Sequence, residues 1–120
     1  MIVRHWRGWT TPSHETAYQD VLQNRIMPGI MAREIKGLRG FHLTKRPIVG
    51  PDGEPEIEFC TIMWWDHIQA IKDFVGEDFE VSHVPQIARA VLKRFDDRVV
   101  HYEVFQTTDR VGSGPHLASD

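Results

Sequence analysis

Apolar positions along the chain change period several times, and each change marks an element. IVRHWRGW (2–9) is rich in β-branched and aromatic residues and stops at Thr10-Thr11-Pro12, which predicts a strand. In PSHETAYQDVLQNRIM, Tyr18, Val21, Leu22 and Ile26 recur three and four residues apart, the period of a helix. Ser13 is placed as its N-cap and Glu15 in its first turn. Pro28-Gly29 is expected to end or kink it, with a short helical turn over 30–35. GFHLTKRPIV (40–49) predicts a second strand, weakened near Pro47, and GPDGEP (50–55) a turn leading to a third strand over 56–65. Asp66 stands as a cap with Gln69 three residues on, ahead of a stripe of Ile68, Ile71, Phe74 and Val75 that Gly76 terminates. Pro85 opens a third helix marked by Ile87, Val91, Leu92 and Phe95, and DRVVHYEVFQT (97–107) is the last strand. Residues 109–120 show no periodicity, so a flexible tail is expected from 108 onward.

The order β-α-β-β-α-β is the ferredoxin-like split βαβ arrangement, an α+β fold. It predicts one domain over 1–107, with a four-stranded antiparallel sheet in the order 4-1-3-2 and helices on one face. Strand alternation then sorts the side chains. Cys60, Ile62 and Trp64 share one face of the third strand, and Phe59, Thr61, Met63 and Trp65 the other. On the last strand Val100, Tyr102 and Val104 oppose Val99, His101, Glu103 and Phe105. The first face of each is nearly all apolar and is expected under the helices. The second mixes polar groups with Phe59, Met63, Trp65 and Phe105. Water is a poor neighbour for such residues, so a second copy of the sheet is expected to cover them, giving a homodimer through the sheet face.

The 120 residues carry a net charge of −3, which supplies no field for a nucleic-acid backbone. A single cysteine, Cys60, excludes an internal disulfide, and its apolar setting reads as inert packing. No apolar run reaches the ~20 residues of a membrane span. Arg4, His5 and Arg7 interrupt the first apolar stretch, which is therefore not a signal peptide, and a cytoplasmic protein is expected. None of the seven histidines falls in an HxH, HxxxH or HExxH spacing, so no metal site is predicted.

Residues 1–105 resemble the antibiotic biosynthesis monooxygenase-like domains of the dimeric α/β-barrel superfamily, with the stress-responsive barrel proteins as near neighbours. The features that carry the likeness are RHWRG on the first strand, Trp65-Asp66 closing the third, the GED after the middle helix, the VP opening the last helix, and HYEV on the final strand. The resemblance implies a dimeric barrel. It also implies, as one activity among several, oxidation of polycyclic phenols by O2 without a cofactor. Haem-degrading relatives use an Asn on the first strand, a Trp on the third, which Trp65 matches, and a His on the second helix. Here the first strand has no Asn, and the helix has a His only at its first turn, so that activity does not carry over.

Candidate chemistry follows from the mixed face. His101 and Glu103 point the same way, and Arg4 on the neighbouring strand is placed to join them. A histidine near neutrality acts as a general base, and base-assisted loss of a phenolic proton prepares an anion for O2. The expected site has His101, Glu103 and Arg4 as its catalytic groups and Trp6, Phe59, Thr61, Met63 and Trp65 as its wall. Its substrate is a small aromatic or polycyclic molecule, with no cofactor. A plainer reading makes the polar cluster a buried ion pair, and the protein a non-catalytic barrel that binds a hydrophobic molecule.

Overall fold

In the computed structural model, residues 1–108 are described; the tail expected from 108 onward lies, but for Thr108, outside the described residues. The fold is ferredoxin-like. β1 (Ile2–Thr10) is central and pairs antiparallel with β3 (Pro55–Trp65) along its whole length. β2 (Leu38–Val49) adds to the far side of β3. The last strand is in two pieces, β4 (Arg94–Phe95) and β5 (Val100–Glu103), both on the open side of β1. The order β2-β3-β1-β4 is the one the topology predicts. Pro47 is tolerated because β2 is an edge strand.

Helices cover one face. A 3₁₀ turn (Pro12–His14) leads into α1 (Glu15–Asp20), a π-helical stretch (Val21–Ile26) and α2 (Met27–Ala32). The helical path therefore runs through Pro28, which was expected to end or kink it. The π stretch supplies the reason. Proline has no N–H and crowds the carbonyl four residues back, whereas i→i+5 bonding, as in Met27 N–H to Leu22 O, relaxes that geometry.

α3 (Ile68–Val75) is capped by His67, whose Nδ1 accepts from Ala70 N–H at 3.2 Å, rather than by Asp66, which pairs with Arg39. Gly76, with φ of 101°, ends it, a conformation that favours glycine. α4 is only Gln86–Arg89, and Phe95, expected at the end of that helix, lies in β4.

The two faces of the sheet are the reverse of the expectation. Ile57, Phe59, Met63 and Trp65 are the buried side of β3, and they form two clusters with the helices. Phe59 packs edge-on against Tyr18, and Trp65 is fully buried against Phe74, Ala70 and Ile71. Cys60, Ile62 and Trp64 lie on the uncovered face, only partly shielded, beside His42 and the exposed Tyr102. The face judged mixed looked so because it carries Arg4, Thr61 and His101, the polar groups of a cavity beneath the helices. Strand alternation sets the two groups apart, and Trp64 therefore falls outside with Cys60 and Ile62 although it is as large as Trp65.

A buried carboxylate fastens the far end of the sheet. Glu56 accepts from Arg94 at 2.8 Å and lies 2.9 Å from Lys93, and these bonds hold its carboxyl below the usual range. Arg94 also lies 3.9 Å over the Trp9 ring, so β1, β3 and β4 are tied at one point. Gly50 packs directly against that carboxylate, where a Cβ would collide.

Replacing Trp65 by Ala should cost about 3–5 kcal/mol in urea unfolding, the penalty for emptying an aromatic core position. A loss below about 1 kcal/mol would mean that this indole is not core.

Candidate functional site

A cavity of about 460 Å³ lies between the inner face of the sheet and the helices. That is within the usual range for small-molecule sites, ~300–1,000 Å³. Arg4 and Trp6 of β1 and Thr61 and Met63 of β3 form its floor. Leu22 and Ile26 of the π stretch, Met27 and Ile30 of α2 and Phe74 of α3 form the opposite wall, and Ser82 to Pro85 its rim. π-helical turns are over-represented at functional sites because they displace side chains from the regular helical rows. Here the π stretch contributes two apolar side chains to the wall.

At the polar spot in this floor, Arg4 Nη1 donates to the Phe79 carbonyl and to His101 Nε2, each at 2.8 Å. The register places the pair, since Arg4 faces His101 across β1 and β5. A guanidinium only donates, so Nε2 is the acceptor and the neutral imidazole carries its proton on Nδ1. That Nδ1 is buried and has no partner among the described residues. Burial first, and the Arg4 charge second, push the His101 pKa down to about 4. Burial also lowers the Arg4 pKa, to about 10, which leaves it charged at neutral pH. Phe79 closes the pair from above, with its ring edge-on to His101 at 5.1 Å. Trp6 is fixed by donation from Nε1 to the Asp96 carbonyl at 2.7 Å.

Of the residues expected at the site, Arg4, Trp6, Thr61 and Met63 line the cavity, and His101 adjoins it through Arg4. Phe59 and Trp65 are core beneath it rather than wall. Glu103 sits opposite Ile2, exposed, and the expected Arg4–Glu103 pair does not form. The backbone is the reason: two residues on from His101 the strand has passed the level of Arg4.

Sequence reasoning assigned no site role to the helix-side wall. Tyr18, Leu22 and Ile26 read as a core stripe because core and cavity wall share one periodicity. His83, two residues before Pro85, lines the cavity at its rim with Asp78 at 3.5 Å. Cys60 lies on the other side of the sheet, and burial raises its pKa. His5 and His42, also on that side, stack on Tyr102 and meet Trp64 edge-on respectively, rather than converging with His101.

The fold and the site define a ferredoxin-like α/β sandwich with a cavity between its layers, and one comparison bears on that class. The chain is similar in structure to an ethyl tert-butyl ether D (EthD) family protein from Bacillus halodurans C-125, with a TM-score of 0.52. The two are 22% identical, and the likeness covers 87% of this chain and 99% of that one. At this identity the likeness shows the fold. No protein-family model and no curated protein matches the chain.

The His101 shift has a pH consequence. The groups around the imidazole are Arg4 and, more weakly, His5, which lower its pKa, and Glu80, which raises it. The unfolded chain takes up this proton near pH 6.5 and the folded chain only near pH 4, so stability attributable to His101 declines as pH falls between them. An NMR titration of the His101 ring protons should show a midpoint near 4; a midpoint near 6.5 would contradict the buried Arg4–His101 pair.

Proposed function

We propose that this protein binds a flat, apolar small molecule in the cavity beneath its helices and does so as a homodimer. The observation that carries the reading is the apolar cavity with one polar spot, the Arg4–His101 pair, in its floor. Sites for small organic ligands have this composition, apolar walls for affinity and a few fixed polar groups for orientation. In this reading Arg4 holds a ligand oxygen. His101 positions Arg4, since its Nε2 is already engaged and its basicity is low. Trp6 and Phe74 are the ring-stacking walls.

The dimer rests on the uncovered sheet face. Val3, Ile62, Trp64, Val100 and Tyr102 are left partly or largely open there, and burying each such side chain favours association by roughly 1.5–3 kcal/mol. A second copy presenting the same face satisfies both.

A cofactor-independent monooxygenase of the antibiotic-biosynthesis type is the second reading, favoured by a cationic donor within an aromatic-walled pocket. Arg4 would stabilise the oxyanion of a phenolic substrate, the electron-rich form that reacts with O2. The substrate itself is the reductant. One oxygen atom becomes a ring carbonyl, and the other leaves as water with the hydrogen of that carbon and the proton of the phenolic hydroxyl.

Native mass spectrometry of the purified protein should show a dimer, with retained small-molecule mass on a fraction of it. O2 uptake with polycyclic phenols then separates the two readings. Turnover that Arg4→Met reduces at least tenfold, about 1.4 kcal/mol of transition-state stabilisation, supports the oxygenase, and its absence leaves a binding protein. Trp64→Glu should convert the dimer to monomer in sedimentation at micromolar concentration. A wild-type monomer under those conditions would overturn the dimer.

A further inference from the structure

We infer that the molecule held in this cavity is an apolar carboxylate, with its charged end on Arg4. This rests on the reading of the cavity as a small-molecule site and adds the charge of its occupant.

The arginines of the chain make the case by comparison, once Arg25, Arg33 and Arg89, which have no carboxylate partner among the described residues but are exposed to water, are set aside. Arg7, Arg39, Arg46, Arg94 and Arg98 each bond a carboxylate, of Asp96, Asp66, Glu58, Glu56 and Glu80 respectively. Arg4 is different. It lies in the floor of an apolar cavity, yet its partners are a carbonyl and a neutral imidazole. No carboxylate among the described residues lies within ion-pair distance of it, and both its bonds use Nη1. The remaining N–H groups of the guanidinium have no protein partner among the described residues. A charge taken largely out of water without a counter-charge is costly.

The surroundings agree. The cavity lining includes Arg4, Arg33 and His83 and no aspartate or glutamate, in a chain whose net charge is −3. The acids that flank Phe79 in the chain have other partners. Glu80 is bonded to Arg98 at 2.9 Å, and Asp78 faces His83 at the rim. A carboxylate is the group whose two oxygens match a guanidinium edge, and Trp6, Leu22, Ile26, Met63 and Phe74 offer apolar surface to the rest of the molecule. A purely structural Arg4, tethering the Phe79 carbonyl to β1, would give no preference between a charged and an uncharged ligand.

Isothermal titration of the whole chain at pH 7 with 2-naphthoate and with its uncharged counterpart 2-naphthamide tests this. The carboxylate should bind about 10- to 100-fold more tightly, the range for a hydrogen bond to a charged group. Arg4→Met should remove that preference, so that the two probes bind alike, and Arg4→Lys should retain part of it. Equal binding of the two probes to wild type would overturn the inference and leave the cavity reading standing. A preference that survives Arg4→Met would overturn it as well. Binding of neither probe at millimolar concentration would overturn both. Should the methionine variant not fold, the Arg4 Nε–H signal of wild type decides: naphthoate must shift it and naphthamide must not.

Discussion

The pairing of β1 on both edges is the interaction on which the rest depends. Its whole length is bonded to β3, and its other edge to β4 and β5, so its alternation cannot slip. A slip of one residue would carry Arg4 and Trp6 to the uncovered face and bring His5 and Arg7 under the helices. The register that sets Arg4 opposite Met63 on one side and His101 on the other therefore makes the cavity floor. The Glu56–Arg94–Trp9 knot at the far end of the sheet secures the same register.

Two packing solutions meet on that sheet. Where large side chains from β3 reach the helices, the interior is filled, as around Trp65 and Phe59. The π stretch packs into the Phe59 cluster through Val21 and Leu22, and Leu22 and Ile26 also line the cavity. The same stretch lets the chain pass Pro28 without breaking. One local deviation from α-helical geometry thus both tolerates a proline and shapes the wall over the polar spot.

The architecture was largely legible in the sequence. Strand and turn signals gave the order of elements, and Gly76 and the GPDGEP turn stand where they were read. The sheet faces were misread for a physical reason. Polar content is a guide to exposure only where an interior has no function, and Arg4, Thr61 and His101 made an inner face look outer. Trp64 and Trp65 show how much this matters, because adjacent indoles on a strand point to opposite sides. The Arg4–His101 contact was within reach of the sequence, since both residues were singled out. Its polarity was not, because a base was expected where the geometry gives an acceptor bound to a cation. The helix-side wall gave no separate signal, for apolar spacing reads the same whether it fills a core or lines a cavity.

The central claim is that a small molecule binds beneath the helices, on the Arg4–His101 side of the sheet. The four tryptophans are placed to test it, because Trp6 lines the cavity and Trp64 lies on the opposite face. Indole N–H signals recorded by two-dimensional NMR while 2-naphthol is added would locate the ligand. The account predicts that the Trp6 signal moves and the Trp64 signal stays. Movement of Trp64 with Trp6 unchanged would place the ligand on the open face and contradict it.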